Sequence, residues 1–164
     1  MAIFGNKNKN GTLTINFCAV EGTPLYQPLN AISMNLLDDK IEFKYRVGKR
    51  EPIYLDYSQI RRFGTVSEEE VQQANKSVIG RAVVGGILLG PLGAVVGAID
   101  GTTKKTTTTK TNYFVINYVS SAGEEVALPL EIVGATIGLS KIEKELEQRC
   151  SNLELAPKVS SNQL

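Results

Sequence analysis

The chain has 164 residues, and 18 basic against 17 acidic side chains give a formal charge of +1, so no net field draws it to nucleic acid or to an acidic surface. It contains no histidine, which removes the commonest general base and metal ligand and excludes every triad built on that residue. Its two cysteines, Cys18 and Cys150, lie in unrelated contexts with no second ligand at metal spacing, and both read as reduced core residues.

The first ten residues, MAIFGNKNKN, lack the apolar stretch of a secretory signal, so a cytoplasmic protein is expected, with residues 1–11 a flexible N-terminus. Leu13, Ile15, Phe17 and Ala19 then alternate with Thr14, Asn16 and Cys18, the period of a strand with one buried face. Ile32, Met34 and Leu36 repeat the pattern up to a turn at Asp38-Asp39. Ile41, Phe43, Tyr45 and Val47 follow against Glu42, Lys44 and Arg46, and the two runs read as a hairpin. Gly48–Pro52 turns the chain into a strand with Ile53, Leu55 and Tyr57, and Ile60 and Phe63 extend a further strand to Val66, so this half reads as a meander.

Ser67-Glu68-Glu69-Glu70 is a capping box, in which serine accepts from the amide three residues on while Glu70 reaches back. From Ala82 to Ile99 the chain has no charge and no hydroxyl, and Gly86 and Gly90 are four apart, as are Gly93, Gly97 and Gly101. On a helix that spacing makes a smooth stripe that lets another backbone approach closely. Because proline disfavours helix at the residue before it, Gly90-Pro91 divides the segment into helices over 68–89 and 91–100 folded as a hairpin, with one kinked helix as the alternative. The polar run from Thr102 to Thr111 leads into a strand with Tyr113, Val115, Asn117 and Val119 on one face and Phe114, Ile116 and Tyr118 on the other. Ser120–Gly123 turns into a last strand with Val126, Leu128 and Leu130. A second capping box, Ser140–Glu143, opens a helix whose buried stripe is Leu139, Ile142, Leu146, Cys150 and Leu153, and residues 154–164 are too polar to fold.

This order, with the phrase EPIYLDYSQIRRF and the interrupting glycine-rich segment, resembles bacterial PH-like domain proteins with an inserted glycine zipper, found in Gram-positive bacteria and their phages. The resemblance covers roughly residues 12–153 and implies an α+β fold: an antiparallel barrel or sandwich of about seven strands, a C-terminal helix, and a glycine-rich helical hairpin inserted over 67–101.

Nothing in the chain matches a nucleophile elbow, a phosphate loop or a dinucleotide fingerprint, so no enzyme, no cofactor, no metal and no small-molecule substrate is expected. Lys49, Arg50, Arg61 and Arg62, with Lys104 and Lys105, make the best basic cluster, a candidate contact for an anionic surface whose simpler reading is a solvated rim. It is too small to suggest nucleic acid. The glycine-rich segment allows several readings. At about 1.5 Å per residue, about 22 helical residues reach roughly 33 Å, enough for a membrane span. A crossing would, however, leave half of the strands on each side of the bilayer. A hairpin could instead zip copies together or attach to a membrane through Gly86, Gly90, Gly93, Gly97 and Gly101, with Val83, Leu88, Val95 and Val96 as the apolar surround. It could also pack on its own barrel, although each glycine then costs a helix up to about 1 kcal/mol relative to alanine. The leading expectation is a non-enzymatic module that self-associates, attaches to membrane, or both. The alternative is a phage or mobile-element adaptor that binds a host protein through its β surface, with the hairpin only structural.

Overall fold

A computed structural model of the chain describes residues 6–7, 11–27, 31–77, 83–84, 86–90, 111–134 and 138–153. The strands are β1 (Asn6–Lys7), β2 (Leu13–Ala19), β3 (Ala31–Leu36), β4 (Lys40–Tyr45) and β5 (Ile53–Asp56), then, after a 3-10 turn at Tyr57–Gln59, β6 (Ile60–Ser67). Helix α1 (Glu68–Ser77) and the short strands β7 (Val83–Val84) and β8 (Ile87–Leu88) precede β9 (Asn112–Val119), β10 (Glu125–Ile132) and helix α2 (Leu139–Arg149).

The alternation read in Leu13–Ala19 is realised residue by residue: Leu13, Ile15, Phe17 and Ala19 are buried and the residues between them are half-buried. Adjacent strands pair antiparallel, and the sheet runs in the order β5-β4-β3-β2-β10-β9-β6, with β1 beside the first residues of β2. The sheet curls, because Phe43 and Leu55 near one end share a single core with Phe114, Ile116, Leu128 and Leu130 near the other. Phe17 and Phe114 stack in it at 5.9 Å between ring centroids. Helix α2 closes this core with Leu139, Ile142, Leu146 and Cys150, and Leu153 packs beside them, as the stripe predicts. Its C-terminal end is tied down where Arg149 donates to the Leu37 carbonyl (2.6 Å), which also accepts from the Tyr57 hydroxyl (2.6 Å).

Four expectations are corrected. The first half is not a simple meander, because after the 3-10 turn β6 pairs with β9, at the far end of the sheet from β5. Alternation specifies which face of a strand is buried and not which strand lies beside it. Asn6 and Lys7, expected in a flexible terminus, pair with Thr14 and Leu13. The pairing has room because β10 covers only Phe17, Cys18 and Ala19 of β2. The C-terminal helix begins at Leu139 after Gly138, without a side-chain cap, so Ser140 does not cap it. Finally, the helix expected over 68–89 is helical only over Glu68–Ser77 among the described residues, and Val83–Val84 pair with Ile87–Leu88 as a β-hairpin. The second helix expected over 91–100 and the tail over 154–164 lie outside the described residues.

Candidate functional site

Strand β9 is buried on both faces. Phe114 and Ile116 enter the main core, while Tyr113 and Val115 belong to a second apolar layer with Val20, Val66, Val71, Ala74, Leu89 and Ala127. An antiparallel strand normally leaves one face to water, so an unbroken run such as YFVIN signals a cover on the outer side. Two elements supply it. Helix α1 brings Val71 and Ala74, and it starts on the predicted capping box: the Glu70 amide donates to Ser67 Oγ (3.2 Å) and the Ser67 amide to Glu70 Oε2 (2.8 Å). The β7–β8 hairpin brings Leu89, fully buried, with Ile87 and Leu88 packed around it.

The hairpin is held chiefly by Asn117, a fully buried polar residue on the outer face of β9. Its side-chain oxygen accepts from the Leu88 amide (2.8 Å) and its amide group donates to the Leu88 carbonyl (2.9 Å). A single side chain thus pairs with Leu88 as a neighbouring strand would, satisfying both backbone groups of a residue that has left the sheet. Arg62 adds a bond from Nη1 to the Gly86 carbonyl (2.9 Å) and lies 3.7 Å from the Glu125 carboxylate.

The glycines at this contact serve the turn and close approach. Gly86, which precedes Ile87 where the chain turns back on Val84, has φ 85, the positive value that tight hairpin turns call for. Gly64 on β6 leaves space that Ile87 fills: a Cβ there would lie 2.6 Å from Ile87 Cδ1. Gly90, at φ 53, lets the chain press onto β10, where a Cβ would meet that of Ala127 at 2.8 Å. Gly90→Ala should therefore cost about 1–3 kcal/mol, combining left-handed backbone strain with the clash. Gly48→Ala is the control in the same denaturation experiment, since Gly48 shares the positive φ (85) with nothing within 4 Å of its Cβ position. Equal losses in the two variants would mean that the contact with Ala127 contributes nothing.

The predicted site residues thus divide. Gly86, Gly90 and Leu88 come together on the outer face, and the backbone of Val83 pairs with Leu88. Gly93, Gly97, Gly101, Val95, Val96, Lys104 and Lys105 lie outside the described residues. The basic cluster is not assembled as read. Lys49 and Arg50 sit in the β4–β5 turn, Arg61 donates to the Ser58 carbonyl beyond the opposite end of β5, and half-buried Arg62 is engaged with Gly86 and Glu125. The alternation places Asn117 on the correct face without marking it as the clamp, and a lone amide amid Tyr113 and Val115 is the signal that could mark it.

Burial shifts a phenol of the outer layer and both thiols of the chain away from reactivity. Burial, with the carboxylates of Glu131 and Glu68 adding to it, pushes the Tyr113 phenol up to about 12. Burial raises the Cys150 thiol to about 11, and burial with the Glu131 charge raises Cys18, so neither sulfur has thiolate character near neutral pH. Among the described residues no cluster of carboxylates or thiols is placed to hold a metal ion.

A family model described as a glycine zipper containing PH domain matches residues 25–122, from the β2–β3 loop to the β9–β10 turn. The chain belongs to this family. Searches of curated proteins and of solved structures found no match. The matched stretch holds α1, the β7–β8 hairpin, Asn117 and the glycine-rich segment, while β2, β10 and α2, which lie outside it, complete the sheet and close the core. The antiparallel sheet and C-terminal helix fit a PH-like α+β fold. Membership in the family indicates an interaction module.

Proposed function

We propose that the protein is a non-catalytic interaction module that self-associates through its glycine-rich segment, with the outer face of β6, β9 and β10 as the rigid seat from which that segment is presented. The observation that carries this reading is the clamp of Asn117 on both backbone groups of Leu88, beside fully buried Leu89. Residues 86–90, held in this way, start the segment from a fixed place on the domain, which lowers the ordering cost when copies meet. The ends of the excursion support the same arrangement: Ser67 faces Asn112 across the β6–β9 pair, and the Glu68 amide donates to the Thr111 carbonyl (2.9 Å). The chain leaves and re-enters the sheet at neighbouring positions, so the excursion is added to the sheet without displacing the β6–β9 pairing. Gly93 and Gly97, four residues apart, follow the seat by a few residues and offer the small side chains that close packing requires. Among the described residues no helix is long and apolar enough to cross a membrane.

The test is the particle mass of the full chain in detergent-free buffer, by light scattering after size exclusion, beside the variant Gly93→Leu/Gly97→Leu. A defined oligomer that falls to monomer in the variant supports self-association through the segment. An unchanged mass in the variant, or a monomeric parent, overturns it.

A further inference from the structure

Where the curled sheet ends, it leaves an open seam. Strand β5 has β4 on one side and, among the described residues, no strand on the other. Beside it runs a groove of about 250 Å³ whose walls are Ile53, Tyr54 and Leu55 on β5 and Tyr118, Ser120 and Ser121 at the β9–β10 turn, with Leu25, Phe43 and Leu128 of the core at its floor. Ile53 and Leu55 share the core-facing side of the β4–β5 pair with Phe43 and Tyr54 lies on the other side, so the groove opens from the core face of β5 toward the edge that no described strand pairs.

We propose that this seam binds an extended peptide segment of a partner protein, which adds as a strand to the free edge of β5 and carries apolar side chains alternating with acidic ones. The edge supplies the backbone groups of Tyr54, since the Asp56 amide already donates to Gln59 Oε1 (3.1 Å) and Ile53 and Leu55 bond to β4, and the floor of Leu25, Phe43 and Leu128 receives every second side chain. Edge strands are usually protected by charge; β5 reads Ile-Tyr-Leu-Asp, with Ile53 37% and Tyr54 50% exposed and no charge before Asp56. Pro52, which has no amide hydrogen, limits the pairing to Ile53 and beyond. The charge of the ligand follows from the turn that leads into β5. Exposed Arg46, Lys49 and Arg50 stand there against the single acid Glu51, and Arg50 is held over the Tyr45 ring at 5.9 Å. Val47, 51% exposed, adds an apolar contact at the same end. This surface does not involve the β7–β8 seat, so it stands or falls apart from self-association.

The experiment selects short random peptides displayed on phage against the immobilised full chain. The enriched consensus is then measured by calorimetry on the full chain and on Ile53→Lys/Tyr54→Lys, both partly exposed positions where lysine leaves the core intact, and on Arg46→Glu/Arg50→Glu. The expected result is an alternating apolar and acidic consensus whose affinity drops by about tenfold or more in both variants. Exchange of the Tyr54 amide should slow when the peptide is bound. Failure to enrich any peptide, or a consensus indifferent to both variants, overturns the proposal. So does exchange of the Tyr54 amide that slows without peptide as protein concentration rises, which would make a second copy the occupant. Binding of phosphatidylserine vesicles that depends on Arg46 and Arg50 while no peptide binds would make the basic turn a membrane contact and overturn it equally.

Discussion

Replacing Asn117 by leucine is expected to release the β7–β8 hairpin from the domain while the main core stays folded. The side chain is fully buried and makes two bonds to the backbone of Leu88, at 2.8 and 2.9 Å. Leucine is close in size but has neither a donor nor an acceptor, so the Leu88 amide and carbonyl would be left facing an apolar surface. Each buried polar group without a partner costs about 1–3 kcal/mol. Lifting the hairpin returns both groups to water and exposes Leu89 and its apolar neighbours, and a free-energy loss of this size should appear as local opening. Hydrogen exchange checks it: amides of residues 87–89 should exchange roughly tenfold faster or more, with β2, β3 and β4 unchanged. Unchanged exchange over 87–89 would mean that Leu89 and Arg62 hold the hairpin without Asn117. The same variant should weaken self-association, since the segment would no longer start from a fixed seat.

The largest global loss is expected from Phe114→Ala, at about 3–5 kcal/mol. Phe114 is fully buried, stacks on Phe17 at 5.9 Å and lies 6.1 Å from Phe63. It sits in β9, the strand with an apolar layer on each side, so the space it leaves cannot be refilled by movement of a loop. Val115→Ala, one residue on and facing the outer layer, should cost less, because the hairpin that covers it there is a small element that can settle. Urea denaturation of the two variants measures the difference. A loss for Phe114→Ala no larger than that for Val115→Ala would mean that the outer layer carries as much of the stability as the main core.

The glycine-rich segment shows where local reading misleads. The four-residue interval between Gly86 and Gly90 suggests one face of a helix, yet the same residues lie in Val-Val-Gly-Gly-Ile-Leu, two short apolar runs around a Gly-Gly pair, which is also a hairpin signal. Intrinsic preference at such a stretch is weak, and the choice falls to contacts. Asn117 offers Leu88 the bonds of a strand neighbour, Gly64 offers Ile87 its place, and Ala127 admits only glycine at position 90. All three partners are distant in sequence. The basic residues mislead for a related reason: Lys49 and Arg50 are near Arg61 and Arg62 along the chain, but β5 and the 3-10 turn carry the two pairs apart, and Arg62 is drawn to Gly86 and Glu125.

By itself the sequence determined the faces of β2, β3, β4 and β9, the cap at Ser67 and the stripe of α2. Each is written in a local period or a local hydrogen bond, which a few neighbouring residues suffice to set. Only the tertiary structure decided that β6 lies beside β9, that β5 ends the sheet at an open seam, and that the start of the glycine-rich segment is a strand pair clamped by Asn117. Those features depend on pairings such as Phe63 with Ile116 and Leu88 with Asn117. An alternating pattern shows which side of a strand is buried, but many partners present the same pattern, and the one chosen is the one that fills the shared core and satisfies the backbone together.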